Sequence, residues 1–401
     1  MFSIILCCIG GCLLGIFTGI TPGIHVNTIC LLGLASYDAI GLDSLGFAVA
    51  MVSMSITHTF IDFIPAIFLG IPEENTCLSV LPAHQLVLSG RGFEAVMLTG
   101  CGSLMGLFFS ILMLPAAVIT IPWAYSNLRG IIAYIVAGAS CYLMIREKGF
   151  RGKLMSLAIF LMAGILGIIC LGDGPISATY MLFPVFSGLF GISGILVSLG
   201  GQQNICWQKS YADIRFDKDM VLAGGIGSFG GLLVGILPAM SPSQIGIIMS
   251  GIYGKSPRSF LISVSAINTA DAIYSLIALY SIGNPRSGVA VMIGKIMDLD
   301  LWLLLVMSAA FMICAPIAFY AHMALGKNAI RYFRRIDYGF ICRIALALIL
   351  GLIYAMTGFL GVFVSLTAAV IGILPIRAGV SRTHLMGVLI VPTLIYFMSR
   401  T

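Results

Sequence analysis

Proline interrupts an apolar segment of this chain in two places that correspond. The first interruption reads Gly15-Ile16-Phe17-Thr18-Gly19-Ile20-Thr21-Pro22-Gly23. The second reads Gly235-Ile236-Leu237-Pro238-Ala239-Met240-Ser241-Pro242-Ser243, and aligning Pro22 with Pro242 sets an offset of 220 residues. Each is followed by a further proline-bounded signature. Pro65-Ala66-Ile67-Phe68-Leu69-Gly70-Ile71-Pro72 answers Ala278-Leu279-Tyr280-Ser281-Ile282-Gly283-Asn284-Pro285 at an offset of 213. Hydrocarbon offers no water to freed peptide groups, so such a break at membrane depth is tolerable only against protein or a wet cavity. Matched breaks in two halves predict a duplicated carrier architecture whose site lies where the helices come apart.

That argument requires the segments to lie in lipid, and the composition puts them there. Hydrophobic residues make up 60% of the chain and charged residues 9%, far too little charge for a water-exposed surface. A spanning helix needs about 20 apolar residues. Such stretches run near 2–21, 45–70, 93–121, 129–145, 154–172 and 176–200, then near 219–240, 259–282, 300–325, 341–357, 358–376 and 383–398. Two shorter apolar pieces, 24–36 and 243–253, suit half-helices behind the breaks. The expectation is an all-α polytopic membrane protein of about 10–12 transmembrane helices with discontinuous or re-entrant segments. Met1 to Gly19 has no basic leader and runs straight into the first break, so it reads as structure and not as a cleaved signal.

Charge orients the chain. Basic residues cluster at Arg146/Lys148/Arg151/Lys153, Lys209/Arg215/Lys218, Lys255/Arg258, Lys327/Arg331/Arg334/Arg335/Arg343 and Arg377/Arg382. Placing these clusters and Arg91 in the cytoplasm, with 219–253 as a re-entrant hairpin, leaves only Arg129, Arg286, Lys295 and Arg400 of the 21 Lys and Arg elsewhere. Under that threading the segment after the first break ends outside and its counterpart ends inside. The halves, 1–205 and 206–401, are then inverted-topology repeats joined by the polar stretch Gly200 to Asp219. The net charge of +6 is accounted for by lipid orientation, and no nucleic-acid partner is expected. The eleven cysteines are scattered through apolar segments, the group Cys7, Cys8 and Cys12 has no partner cluster of His or Cys at metal-ligand spacing, and they read as packing residues. There is no Gly-rich phosphate loop, no His-Glu-x-x-His and no nucleophile elbow, so neither a cofactor nor an enzymatic activity is expected. Energy for transport would come from an ion gradient, or from nothing.

The breaks free amides at the start of the following half-helix, where the dipole favours an anion, and carbonyls at the end of the preceding one, which suit a cation. Candidate substrate contacts are Thr21, Gly23, His25, Asn27 and Thr28 in the first half, with Thr18 nearby, and Ser241, Ser243 and Gln244 in the second. The alternative is that Pro22 and Pro242 merely kink spanning helices. His58 and Asp62 stand four apart on one helical face, and the equivalent helix of the second half carries Asn268, Thr269 and Asp271. Carboxylates within spans are costly and are default candidates for ion coupling. A structural hydrogen bond to a neighbouring helix is the other reading of Asp62 and of Asp271, and a satisfied core histidine is the other reading of His58. Glu73 and Glu74 suit a solvated turn. Arg286 after Pro285 suits either a carboxylate or phosphate clamp or an anchor at the outer headgroups.

The Gly15 to Gly23 break, the Pro65 to Pro72 signature leading to Ser89-Gly90-Arg91-Gly92-Phe93-Glu94-Ala95, and Gly188-Leu189-Phe190-Gly191-Ile192-Ser193 closing the first half resemble the large membrane subunit of the tripartite tricarboxylate transporter family. Gly283-x-Pro285 and Ala290-Val291-Met292-Ile293-Gly294 are similar to its second-half signature. The resemblance implies movement of small carboxylates across the prokaryotic cytoplasmic membrane, driven by Na+ or H+. Its members work with a small membrane subunit and an extracytoplasmic binding protein. The short chain looks like a stand-alone branch in which such partners are not required, and a homo-oligomer is compatible with it. His25, Glu73-Glu74 and Arg286 depart from the family pattern. The Pro-Gly break is also similar to that of polyprenyl-phosphate translocases, so a lipid-carrier translocase using Arg286 and Lys295 on a phosphate stands as the alternative.

Overall fold

The computed structural model describes residues 2–398 apart from 22–25, 70–82, 84, 88, 129, 173–174, 201–207, 210, 213, 215–216, 238–239, 241, 254–255, 286 and 334–337. The described residues are almost entirely helical. In chain order the helices are α1 (Phe2–Ile20), α2 (Val26–Ala35), α3 (Tyr37–Ile40), α4 (Ser44–Ile61), α5 (Phe63–Leu69), α6 (Gly92–Leu112), α7 (Leu114–Leu128), α8 (Ile132–Ile145), α9 (Gly149–Leu171), α10 (Ala178–Phe186) and α11 (Ser193–Leu199). The second half follows with α12 (Lys218–Ile236), α13 (Pro242–Tyr253), α14 (Pro257–Ile282), α15 (Gly288–Ile296), α16 (Leu301–Phe333), α17 (Tyr338–Ala378) and α18 (Gly387–Met398). A π turn (Ser187–Ile192) joins α10 to α11, and a 3-10 turn (Arg382–Met386) leads into α18.

Among the described residues nine helical stretches are long and apolar enough to cross a membrane, or ten if the pair α7 and α8, bent by 90°, counts as one span. The chain is therefore a multi-pass membrane protein. The two short apolar pieces expected behind the breaks are α2 and α13. The spans expected at 341–357 and 358–376 form one helix, α17, bent where Gly358 takes φ 64 and ψ −159, a conformation that an L side chain resists.

Glycines set the architecture of the half-helix units. A β-carbon on Gly11 would collide with the Ala50 carbonyl and the Ser53 side chain. On Gly15 it would meet the Met54 carbonyl, Thr57 and the His58 amide, and on Gly19 the Ile61 side chain. In the second half Gly227 faces the Ser263 carbonyl and Ala266, Gly231 faces the Ile267 carbonyl, Ala270 and the Asp271 amide, and Gly235 faces Tyr274. Each α1 contact recurs in α12 with the glycines displaced by 216 and their partners by 213. Small residues at four-residue spacing let two backbones approach closely, which is how apolar helices associate without a hydrophobic driving force. In both units the two long helices run in the same direction. The half-helix turns back along them, with Gly33 against Phe47 and Gly246 against Val264. The α4 and α14 helices meet in opposite sense, since Thr59 pairs with Thr269 while Asp62, further along, pairs with the earlier residue Asn268.

Helix packing sorts the molecule into two bodies, and each draws helices from both halves. The larger consists of α1–α7 and α12–α16; the smaller consists of α8–α11, α17 and α18. Within the larger body, Gly102 and Gly106 bring α6 onto α14, and Gly100 packs on His322 of α16. Within the smaller body, Gly167 lies against the Val388 carbonyl, Gly188 against the Ser365 carbonyl and Gly372 against the Leu189 carbonyl. There the π turn leaves carbonyls off the regular ladder, and Arg382 donates to the oxygens of Leu189 (3.0 Å) and Phe190 (2.9 Å) and to Ser193 Oγ (2.8 Å). Glu147 ties the same end by accepting from the Ser381 amide and His384 Nε2, both at 2.8 Å.

Candidate functional site

Asp62 closes α4 in a right-handed helical conformation (φ −58, ψ −21), its amide donating to the His58 carbonyl at 2.9 Å, and α4 and α5 together make one 25-residue span from Ser44 to Phe68. Asp62 falls where α4 crosses α14, and polar side chains converge there. Asn268 donates from Nδ2 to Asp62 Oδ2 at 2.9 Å, and the hydroxyls of Thr59 and Thr269 lie 3.3 Å apart. One turn back, His58 Nδ1 is 3.0 Å from Thr18 Oγ1, which itself donates to the Gly15 carbonyl. A threonine spending its hydrogen on Gly15 accepts one from the imidazole, so the proton sits on Nδ1. Every member of this junction is shut away from the surface: Asp62 is 1% exposed, His58 and Asn268 2%, Thr18 and Thr269 0%. A carboxylate so enclosed is costly unless donors or a cation face it, and the Asn268 amide is one such donor.

The junction joins the two halves, because Thr18, His58, Thr59 and Asp62 come from the first and Asn268 and Thr269 from the second. Carboxylate, hydroxyl and amide oxygens form a hard donor set suited to an alkali cation, and the carboxylate equally suits a proton. Sequence reasoning found His58, Asp62, Asn268 and Thr269 because ionisable and amide groups stand out in apolar segments. It missed Thr59. A helical threonine satisfies itself on a preceding carbonyl, as Thr59 does on Ile56 at 2.8 Å, and its spacing gives no signal.

Asp271 lies one turn beyond Asn268, partly buried, with its amide packed on Gly231. In the repeated glycine pattern it occupies the place that His58 holds on Gly15. Asp62 corresponds to Ser275, which accepts from the Ser287 amide at 2.6 Å and so fixes the start of α15. Of the expected substrate contacts, Ser243 and Gln244 are buried in the first turn of α13 at 0% and 2% exposure. Thr21 ends α1 with its hydroxyl on the Phe17 carbonyl at 2.8 Å. Asn27 and Thr28 lie in the first turn of α2. Gly23, His25, Ser241 and Arg286 lie outside the described residues, as do Glu73 and Glu74.

A second polar node sits at the amino ends of α6 and α14. Glu94, 7% exposed, receives Arg91 through two bonds of 2.7 and 2.8 Å and Arg258 Nε at 2.8 Å. Beside it, Gln208 accepts from the Gly92 amide and donates to the Val87 carbonyl, so the polar linker is pinned to the first half. Arg91 and Arg258 thus reach one end of the bundle, as the basic clusters require.

Two comparisons bear on identity. A family model for the tripartite tricarboxylate transporter TctA family matches residues 5–387. The chain is 29% identical over 400 residues to an uncharacterized protein of Methanocaldococcus jannaschii, covering 97% of each chain. No solved structure matches. With the family model spanning nearly its whole length, the chain belongs to the tripartite tricarboxylate transporter TctA family.

Proposed function

We propose that this protein is a secondary active permease of the prokaryotic cytoplasmic membrane that moves a small carboxylate anion, coupled to Na+ or H+. The observation that carries the reading is the enclosed junction of Asp62, Asn268, Thr59 and Thr269 where a helix of one half crosses a helix of the other. Asp62 and the oxygens around it take the coupling cation, with His58 and Asp271 as further coupling candidates. The anion is held by the amino ends of α2 and α13, where Asn27, Thr28, Ser243 and Gln244 lie in first turns and peptide dipoles favour negative charge. The matched glycine contacts of α1 on α4 and of α12 on α14 support 1–205 and 206–401 as inverted copies of one unit.

The family works with a small membrane subunit and an extracytoplasmic binding protein, and this chain would either use such partners or act alone or as a homo-oligomer. The lipid-carrier alternative needs Arg286 and Lys295 to converge on a phosphate. Lys295 is exposed in the last turn of α15 and Arg286 lies outside the described residues, so no observation favours it. Purified protein in proteoliposomes, offered a panel of di- and tricarboxylates under imposed Na+ or H+ gradients, tests the proposal. Uptake of at least one carboxylate that collapses when the gradient is removed is expected; uptake indifferent to both gradients refutes the coupling.

A further inference from the structure

The division into two bodies does not follow the division into two halves, and the contacts that join the halves show which boundary is able to move. Rocking one half against the other would tear Asn268 from Asp62, lift Gly102 and Gly106 off α14 and separate Arg258 from the buried Glu94. All of these lie inside the larger body. The smaller body is held together in the same way, by Arg382 on the π turn, by Glu147 on Ser381 and His384, and by Gly167, Gly188 and Gly372 at backbone contact distance.

Across the boundary between the bodies the character of the packing changes. Among the described residues, no helix of one body makes more than glancing backbone approach to a helix of the other. An apolar cluster spans the boundary: Phe63, Ile67, Ile245 and Met249 of the larger body and Val136 and Phe160 of the smaller belong to it. Apolar side chains without directional partners re-pack at low cost when surfaces slide, whereas glycine contacts and buried hydrogen bonds do not. The chain crosses the boundary at only three places, between Leu128 and Ile132 where the helix axis turns by 90°, between Leu199 and Lys218, and between Phe333 and Tyr338. In the second crossing Gln208 and Lys209 are already bonded to the larger body, through the Val87 and Gly90 carbonyls.

The entire polar junction and both half-helices, α2 and α13, reside in the larger body. The buried polar side chains of the smaller one are largely committed locally, as Ser140 is to Val136, Thr357 to Ile353 and Ser365 to Val362. We infer that transport is an elevator-type motion: α1–α7 with α12–α16 travel as one rigid carriage, ion and anion aboard, past a fixed support made of α8–α11, α17 and α18. The inference rests on the transport reading and adds which surfaces slide and which stay locked.

Spin labels attached to a keto amino acid leave the native cysteines in place, and exposed positions are available on both bodies. Asp219 and Asp298 report within the carriage, Phe150 and Phe359 within the support, and Asp219 with Phe150 and Asp298 with Phe359 report across the boundary. Pulsed electron–electron resonance would be recorded in proteoliposomes with and without NaCl and citrate, and citrate uptake measured on the same preparations. The cross-boundary distances should shift by about 5 Å or more, one helical turn, while both within-body distances stay fixed. Citrate uptake with unmoved cross-boundary distances, or with within-body distances moving as far as the others, overturns the inference and leaves the transport reading standing. Absent uptake removes citrate transport, and cross-boundary distances that then stay fixed in every condition remove the inference too; a shift with NaCl alone supports the carriage independently of cargo.

Discussion

The α1/α4 unit and the α12/α14 unit share a backbone and differ in chemistry. Gly15 and Gly231 contact the same three kinds of neighbour at the same register, yet the residue behind Gly15 is His58 and the one behind Gly231 is Asp271. Thr18, which receives the imidazole, corresponds to the buried apolar Val234, and Asp62 corresponds to Ser275, which holds a turn. What the two units share is the close-packed frame, and their polar equipment differs. In the first unit Asp62 places a carboxylate at the end of α4, and the second unit supplies the Asn268 amide that meets it and the Thr269 hydroxyl that meets Thr59. Among the described residues the outcome is one polar junction between the halves, and the second unit carries no matching carboxylate at Ser275.

The largest effects should come from the shared frame. Gly15→Val and Gly231→Val each drive a branched side chain into a carbonyl and a neighbouring backbone, and overpacking of this kind costs about 1–3 kcal/mol or more. Both variants are expected to lose most of the monodisperse peak in size-exclusion chromatography and to melt earlier. A variant pair in which only one suffers would break the equivalence of the units. Next, the comparison predicts unequal roles for corresponding positions. Asp62→Asn should reduce gradient-driven citrate uptake at least tenfold, about 1.4 kcal/mol or more, while Ser275→Ala retains gradient dependence. Equal loss of ion dependence in both would mean that the second unit carries a coupling site of its own.

Smaller effects sharpen the picture of the junction itself. Asn268→Ala removes a donor from a buried carboxylate and should destabilise the protein by about 1–3 kcal/mol, with NaCl restoring part of the melting temperature if a cation takes the vacated position. A melt that does not respond to Na+ any more than to choline would argue for proton coupling. Arg258→Ala is the mildest. Its guanidinium is 42% exposed and Arg91 still serves Glu94, so the loss should be about 0.2–1 kcal/mol, read by thermal melt.

How much of this was legible in the residues follows from what is local and what is not. Pro22, Pro238 and Pro242 with their glycines announced the interruptions, and α1 ends at Ile20 and α12 at Ile236 beside them. Asp62 and His58 announced themselves as ionisable groups in an apolar run. The pairing of Asp62 with Asn268 was invisible because it depends on how α4 crosses α14, and Thr59 was invisible because threonine is at home in any helix. The correspondence of Asp271 with His58 emerged only from glycine contacts, which fix register where side-chain type does not. Gly358 suggested two spans where one bent helix stands, since a glycine of positive φ reads alike as a terminus or a bend. The sorting into two bodies left no trace in the sequence, because it interleaves segments more than a hundred residues apart.

Arg382 also bears on how the molecule is made. The π turn at Leu189 and Phe190 is synthesised nearly two hundred residues before the guanidinium that occupies its carbonyls, and the α9 surface at Gly167 waits as long for Val388. The smaller body can therefore close only after Arg382 and Val388 have left the ribosome, and until then the earlier helices must be sheltered in the bilayer or by the insertion machinery. The first half of the chain is completed by segments made about two hundred residues after it.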